Sequence, residues 1–262
     1  MPTTRSPHGR RPLRRARILA STGVTLSVLL NVWAVAMARD LEGAVDGGAT
    51  TRASATPAEA LATTTVVQRG DAAFTVVPVP AAAAPSSTPS NPPATKGAKG
   101  AKARVVRFTV ETEGGIGADT GELAATVATV LRDPRGWQTR DTVRFVDVTA
   151  AEASAGAVDV RITLASPDTT DRLCAPLDTR GEVSCHNGGR VVLNLRRWLL
   201  GADAYGTDLA AYRTYLVNHE VGHALGHGHV TCPGKGQDAP IMMQQTYGLD
   251  GCVAWPWPTS RV

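Results

Sequence analysis

Cysteine is absent from the first 173 residues of this 262-residue chain, whose four cysteines are Cys174, Cys185, Cys232 and Cys252. No thiolate upstream of Cys174 is therefore available to a metal, and a ligand from that part of the chain would have to be a carboxylate such as Asp71. No two cysteines have CxxC spacing, which argues against a cysteine-bound zinc site. Aromatics make up only 5% of the chain, and no basic stripe interleaved with aromatics follows the N-terminal region, so no nucleic-acid partner is expected. The net charge of +4 does not alter this. Residues 1–38 hold Arg5, Arg10, Arg11, Arg14, Arg15 and Arg17 without an acid, so they carry +6 and the remainder carries −2.

What is present divides the chain into unequal parts. Ile18 to Ala38 is an apolar run of about the length that crosses a bilayer, and its basic flank places the N-terminus in the cytoplasm. Everything after it is then exported to the cell envelope. Ala36-Met37-Ala38 has the small-x-small form of a signal-peptidase site, so cleavage before Arg39, giving a secreted protein, competes with retention as a single-pass anchor. The length of the run favours the anchor. Arg14-Arg15 is an arginine pair of the sort that a basic flank produces by chance, rather than a twin-arginine signal. Residues 39–103 are rich in Ala, Thr, Pro and Ser and bury too little to offset their ordering entropy, so they read as a flexible tether of roughly 45 Å root-mean-square span. Within it, Val66-Val67 and Phe74-Thr75-Val76-Val77 flank Gly70-Asp71 and predict a short hairpin over 66–79.

From Arg104 the pattern becomes that of a packed α+β domain, 104–262, large enough for a sizeable core. Val106, Phe108 and Val110 predict a first strand. Asp119 and Glu122 have capping-box spacing ahead of a helix with a Leu123, Val127, Val130 and Leu131 stripe, which Asp133-Pro134 stops. Thr142 to Val148 and Val158 to Leu164 read as strands. In the second, Val158, Val160, Ile162 and Leu164 face inward while Asp159, Arg161 and Thr163 face out. Strand, helix, strand, strand predicts a mixed sheet with helices packed on it. Gly189 to Leu195 reads as another strand. A helix capped by Thr207 or Asp208 follows, burying Leu209, Tyr212 and Leu216 along one stripe and Val217, Val221 and Leu225 along another.

That helix runs into Asn218-His219-Glu220-Val221-Gly222-His223-Ala224-Leu225-Gly226-His227-Gly228-His229. His219 and His223 sit one turn apart on one face, about 6 Å along the axis, and both can reach one metal ion. A continuing helix would carry position 229 roughly 240° away from His223. Gly226 can adopt the left-handed conformation that ends a helix, letting the chain turn back and bring His229 to the ion. His227, the competing ligand, would lie about 12 Å from His219 along an unbroken helix, so His229 is preferred. Three neutral imidazoles leave one zinc ion with a fourth position for water, and Glu220 stands where it can take that water's proton. Asn218 can serve groups behind the ligands or merely the backbone.

The HExxHxxGxxH pattern, with Ala239-Pro240-Ile241-Met242-Met243 downstream, resembles the metzincin zinc endopeptidases. The chain from Arg104 onward is also similar to an actinobacterial family of exported domains of uncharacterised function. That likeness is carried by Asp133-Pro134-Arg135-Gly136-Trp137, Asn218 to His229, Cys232-Pro233-Gly234 and Ala239 to Thr246. The resemblance implies a metzincin-like fold: a mixed twisted sheet, a backing helix, a long active-site helix and a methionine turn below one zinc. Met242, ahead of Met243, would form the turn's floor, because Ile241-Met242 fits the apolar-Met form. The metzincin tyrosine two residues past the turn methionine is replaced by Gln244, and Tyr247 stands further on. The resemblance also places Val191 to Leu195 at the edge of the cleft, where an open strand would bind extended peptide; read alone, that segment is equally an ordinary strand.

Four cysteines in an exported domain most simply form two disulfides. Sequence permits three pairings, and the two sequence-local ones, Cys174–Cys185 and Cys232–Cys252, are preferred. The expected function is therefore hydrolysis of peptide or protein substrates in the cell envelope by a monomeric zinc endopeptidase. The alternatives are a non-catalytic, zinc-stabilised module that binds envelope material, and an amidase acting on a non-peptide cell-wall amide. Trp255 and Trp257, in the Pro-punctuated tail, are expected to pack.

Overall fold

Val106, Phe108 and Val110 alternate with polar neighbours, and in the computed structural model they lie on one face of the ten-residue strand β2 (Arg104–Glu113), each no more than 1% exposed. The structure describes residues 64–81 and 103–261. The expected signal or anchor segment, 1–38, and most of the expected linker, 39–103, lie outside the described residues. No helix among the described residues is long and apolar enough to cross a membrane.

In chain order the remaining elements are β1 (Phe74–Val77), α1 (Thr120–Arg132), α2 (Trp137–Arg140), β3 (Val143–Asp147), α3 (Ala150–Ser154), β4 (Val160–Ala165), α4 (Pro167–Cys174), β5 (Cys185–Asn187), β6 (Arg190–Asn194), α5 (Leu195–Leu200) and α6 (Leu209–Ala224). Among the described residues six strands form one mixed sheet in the order β1-β2-β4-β6-β5, with β3 also on β2. β2 pairs in parallel with β3 through Arg104–Phe108 and with β4 through Phe108–Thr112, and β4 pairs in parallel with β6. β1 and β5 are antiparallel. The fold is α+β.

One face of the sheet carries the main core. Val160, Ile162 and Leu164 of β4 and Val191 and Leu193 of β6 meet Leu123, Val127, Val130 and Leu131 of α1 and Tyr215, Leu216, Val217 and Val221 of α6. Each such buried aliphatic side chain contributes roughly 1.5–3 kcal/mol. Asp119 caps α1 by accepting from the Glu122 N–H at 2.9 Å, and Asp208 caps α6 by accepting from the Ala211 N–H at 2.9 Å.

Three expectations change. Thr163 does not face solvent; it is fully buried, because the reverse face is covered as well. There Glu111 accepts from Arg161 at 2.5 Å, Arg190 at 2.6 Å and Thr163 at 3.2 Å, and Arg161 also donates to Ala153 O on α3. Phe74–Val77 does not form a hairpin with Val66-Val67. It is β1, and it pairs with Val110–Glu113 in the stretch of β2 that β3 leaves free, while Asp71 N donates to Gly114 O and Ala72 N to Glu113 Oε1. Val66 and Val67 pack on the main core instead.

Finally, Val191 to Leu195 is not an open edge strand: β6 lies between β4 and β5, β5 pairs with Arg190–Val192, Asn194 N donates to Ser184 Oγ, and Leu195 already begins α5. Gly188 and Gly189, at φ +57° and +81°, supply the two positive-φ residues that a tight hairpin between β5 and β6 needs. The Cys174–Cys185 disulfide holds the other end of β5 to α4.

Candidate metal centre

The sixteen residues of α6 carry His219, Glu220 and His223. Gly226 then takes φ +100°, Gly226 N donates to His223 O at 3.0 Å, and His227 N donates to Gly222 O at 2.9 Å. This is the Schellman arrangement that turns a chain off a helix end. The turn brings His229 Nε2 to 3.0 Å from His223 Nε2 and 3.3 Å from His219 Nε2. Among the described residues these three histidines form the one group of His, Cys, Asp or Glu side chains whose donor atoms converge.

Two carbonyl oxygens decide the tautomers. His219 Nδ1 lies 2.8 Å from Ile241 O, and His223 Nδ1 lies 2.8 Å from His227 O. A carbonyl only accepts, so each Nδ1 carries the proton and each Nε2 presents a bare lone pair toward His229. Lone pairs converging in this way repel unless a proton or a cation lies between them. Two nitrogens bound to one tetrahedral ion at 2.0–2.1 Å would stand about 3.3 Å apart. The donor set therefore fits a small cation that accepts imidazole. Burial, followed by the neighbouring rings of His223 and His229, lowers the His219 pKa to about 3, partly opposed by the Ile241 contact. Burial is also the main cause of the downward shifts at His223 and His229. All three are held neutral, the ligating form.

Glu220 follows the first of these histidines. It is 5% exposed, its carboxylate makes no hydrogen bond to protein, and its pKa is raised by burial to about 8. His227 stands apart from the cluster: its ring stacks on Trp137 at 4.4 Å between centroids, and Nε2 meets Asp141 Oδ2 at 2.7 Å. Asn218 donates from its side chain to Pro256 O and accepts at its own carbonyl from Trp137 Nε1, both at 2.9 Å, tying α6 to the C-terminal tail and α2.

Below α6 runs the segment that contains both methionines. Met242 belongs to the main core and lies against Gly222, where an added Cβ would overlap the methionine sulfur and come 2.6 Å from Trp137 Cζ2. Met243 packs instead with Ala239, Leu249 and the Cys232–Cys252 disulfide. Both disulfides have the sequence-local pairing. Tyr215, which the stripe of apolar positions on α6 does not single out, donates to Met243 O and accepts from Gln245 N, both at 2.9 Å, and lies 3.3 Å from His219 Nδ1. Burial pushes its hydroxyl well above the usual tyrosine range, so it stays protonated.

The three histidines and Glu220 open into a cleft of about 380 Å³. Its walls include Leu177, Val183, Tyr215, Leu216, Gln244 and Tyr247, and also His186 of β5. Tyr247 is 68% exposed at the rim. Trp257 is buried, with the Arg135 guanidinium 4.0 Å from its ring centroid; Trp255 packs at the core's edge and donates to Thr259 O.

The molecule is thus an α+β domain with a three-histidine, one-glutamate cleft at the end of its long helix. Over residues 64–255 the chain matches the family described as "Protein of unknown function (DUF3152)", and it belongs to that family. Neither the curated proteins nor the solved structures contain a match to it.

Proposed function

We propose that the protein is an extracytoplasmic zinc endopeptidase of the metzincin type. The observation carrying this reading is the convergence of three imidazole nitrogens, two of them held as lone-pair donors by Ile241 O and His227 O, beside a buried carboxylate with no protein partner. The turn at Gly226 and the passage of Ile241-Met242 beneath His219 add to the likeness. Two disulfides are compatible with an oxidising compartment.

Zinc held there would polarise a peptide carbonyl and bring the pKa of water toward neutrality. The protein's own groups do the rest. His219, His223 and His229 present Nε2, and the carbonyls behind the first two fix their rings. A cation at the histidines favours the ionised form of Glu220, whose carboxylate takes a proton from water and returns it to the leaving amine nitrogen. Leu216, Tyr215 and Val183 supply apolar wall to exclude bulk water.

The rival reading, a zinc-stabilised binding module, fits less well. A structural site usually fills its fourth position with protein, and no fourth ligand joins the three histidines among the described residues. An amidase would use the same groups on a different substrate. The test is cleavage of a diverse, unfolded peptide mixture by the oxidised, zinc-loaded full chain and by its Glu220→Ala variant. Cuts made only by the wild type support the peptidase; intact peptides with zinc still bound turn the reading to the alternatives.

A further inference from the structure

β5 places one more polar side chain in the cleft. Cys185 is bonded to Cys174 of α4 and stands opposite Val192, and these three share a small core on the reverse face of the sheet. Asn187 donates to Leu173 O and Ala175 O at that end of α4, and stands opposite Arg190, which reaches Glu111 on the same face. Successive side chains of a strand alternate, and residues directly opposite share a face. His186 therefore points the other way, with its partner Val191, toward α6. It reaches the same cleft as Glu220 and His223.

Most other polar side chains there are engaged. Ser184 accepts from Asn194 N, Thr179 bonds Asp171, and Thr246 bonds Tyr212. The His186 side chain makes no hydrogen bond to protein, is half-buried, and stands outside the converging trio. Burial, and secondarily His223, lowers its pKa, so near neutrality the ring is neutral and has one N–H to give.

The geometry points to His186 as a further catalytic residue, whose ring N–H donates to the carbonyl oxygen of the bound substrate as that oxygen gains charge. This rests on the hydrolase reading above. A preorganised donor of this kind acts on the transition state more than on substrate binding.

The experiment uses the oxidised, zinc-loaded full chain as wild type, His186→Ala and His186→Gln. With peptides that the wild type cuts, His186→Ala lowers kcat by about 100-fold and leaves KM and zinc affinity within a few-fold. His186→Gln, which keeps an N–H donor, recovers part of the loss. Wild-type rates in His186→Ala, or a loss matched by weaker zinc binding, overturn the assignment. If the wild type cuts nothing, the peptidase reading fails, and His186 is judged by acetohydroxamate, a small oxygen ligand for zinc. About tenfold weaker binding in His186→Ala at unchanged zinc affinity upholds its role as a hydrogen-bond donor to a ligand oxygen; equal binding overturns it.

Discussion

The Nδ1 atom of His219 lies 2.8 Å from the carbonyl oxygen of Ile241, so the residue just before Met242 sets the ring of the first candidate ligand. The segment is thereby coupled to the candidate centre directly, and a second time through Tyr215, whose hydroxyl lies 3.3 Å from His219 Nδ1 and also joins Met243 O and Gln245 N.

Zinc binding should follow this geometry. The full chain is expected to take up one equivalent of zinc. His219→Ala, His223→Ala and His229→Ala should each weaken binding by at least about 100-fold, measured by chelator competition. His227→Ala should still bind one equivalent, because that ring is occupied with Trp137 and Asp141. Loss of stoichiometric binding in His227→Ala would contradict the ligand set.

The buried carboxylate makes a pH-dependent prediction for the metal-free protein. Glu220 has its pKa raised to about 8 by burial, so the folded state holds a proton that the unfolded state releases near pH 4.5. Its contribution to stability is complete below about pH 4.5 and is lost as pH rises toward 8. His219 acts in the opposite sense, adding stability as pH rises from about 3 to 6.5. Comparing wild type with Glu220→Gln at each pH cancels the histidine effect. By pH 8 Glu220→Gln should be the more stable by a few kcal/mol relative to the difference at pH 4.5, read by chemical denaturation in chelator. A difference that does not change with pH would contradict the buried carboxylate.

Gly222 allows Met242 and Trp137 to approach the helix. Gly222→Ala places a methyl group 2.6 Å from Trp137 Cζ2, and overpacking of this kind costs about 1–3 kcal/mol even though alanine is the better helix former. Thermal unfolding should show a lowered midpoint, with zinc affinity reduced as well because the segment under His219 must shift. An unchanged midpoint would mean that the turn is not pressed against the helix.

The two disulfides should separate in their effects. Removing Cys232–Cys252 by double serine substitution is expected to cost about 3 kcal/mol and to weaken zinc binding, because the loop it closes contains Ile241 and Met242. Removing Cys174–Cys185 should cost a similar amount but leave zinc affinity within a few-fold. It frees β5, so peptide cleavage should fall more than metal binding does. Zinc titration and peptide cleavage on the same preparations distinguish the two.

The candidate centre was largely legible in the sequence because it is local. His219, His223, Gly226 and His229 lie within eleven residues, and helix period plus one glycine suffice to place them. The capped ends of α1 and α6 are legible for the same reason. His186, Asp141 and the Ile241 carbonyl were not, since each meets its partners across the fold. Asp141 is 86 positions from His227, and only the pairing of β5 with β6 shows which way His186 points. Thr163 misled because alternation reports which side chains share a face, not whether the second face is covered. The valines around Gly70 resembled a hairpin because local pattern cannot reveal that half of β2 offers a longer partner.

That free half of β2 determines how the domain can be handled. A chain shortened to begin at Arg104 loses β1 and leaves Val110–Glu113 with unpaired amides and carbonyls along an exposed margin, while Glu113 forfeits the Ala72 N–H. Such a margin recruits a strand from another molecule. Preparations started there should associate and precipitate, whereas those that retain residues 64–81 carry their own edge cover and should remain dispersed.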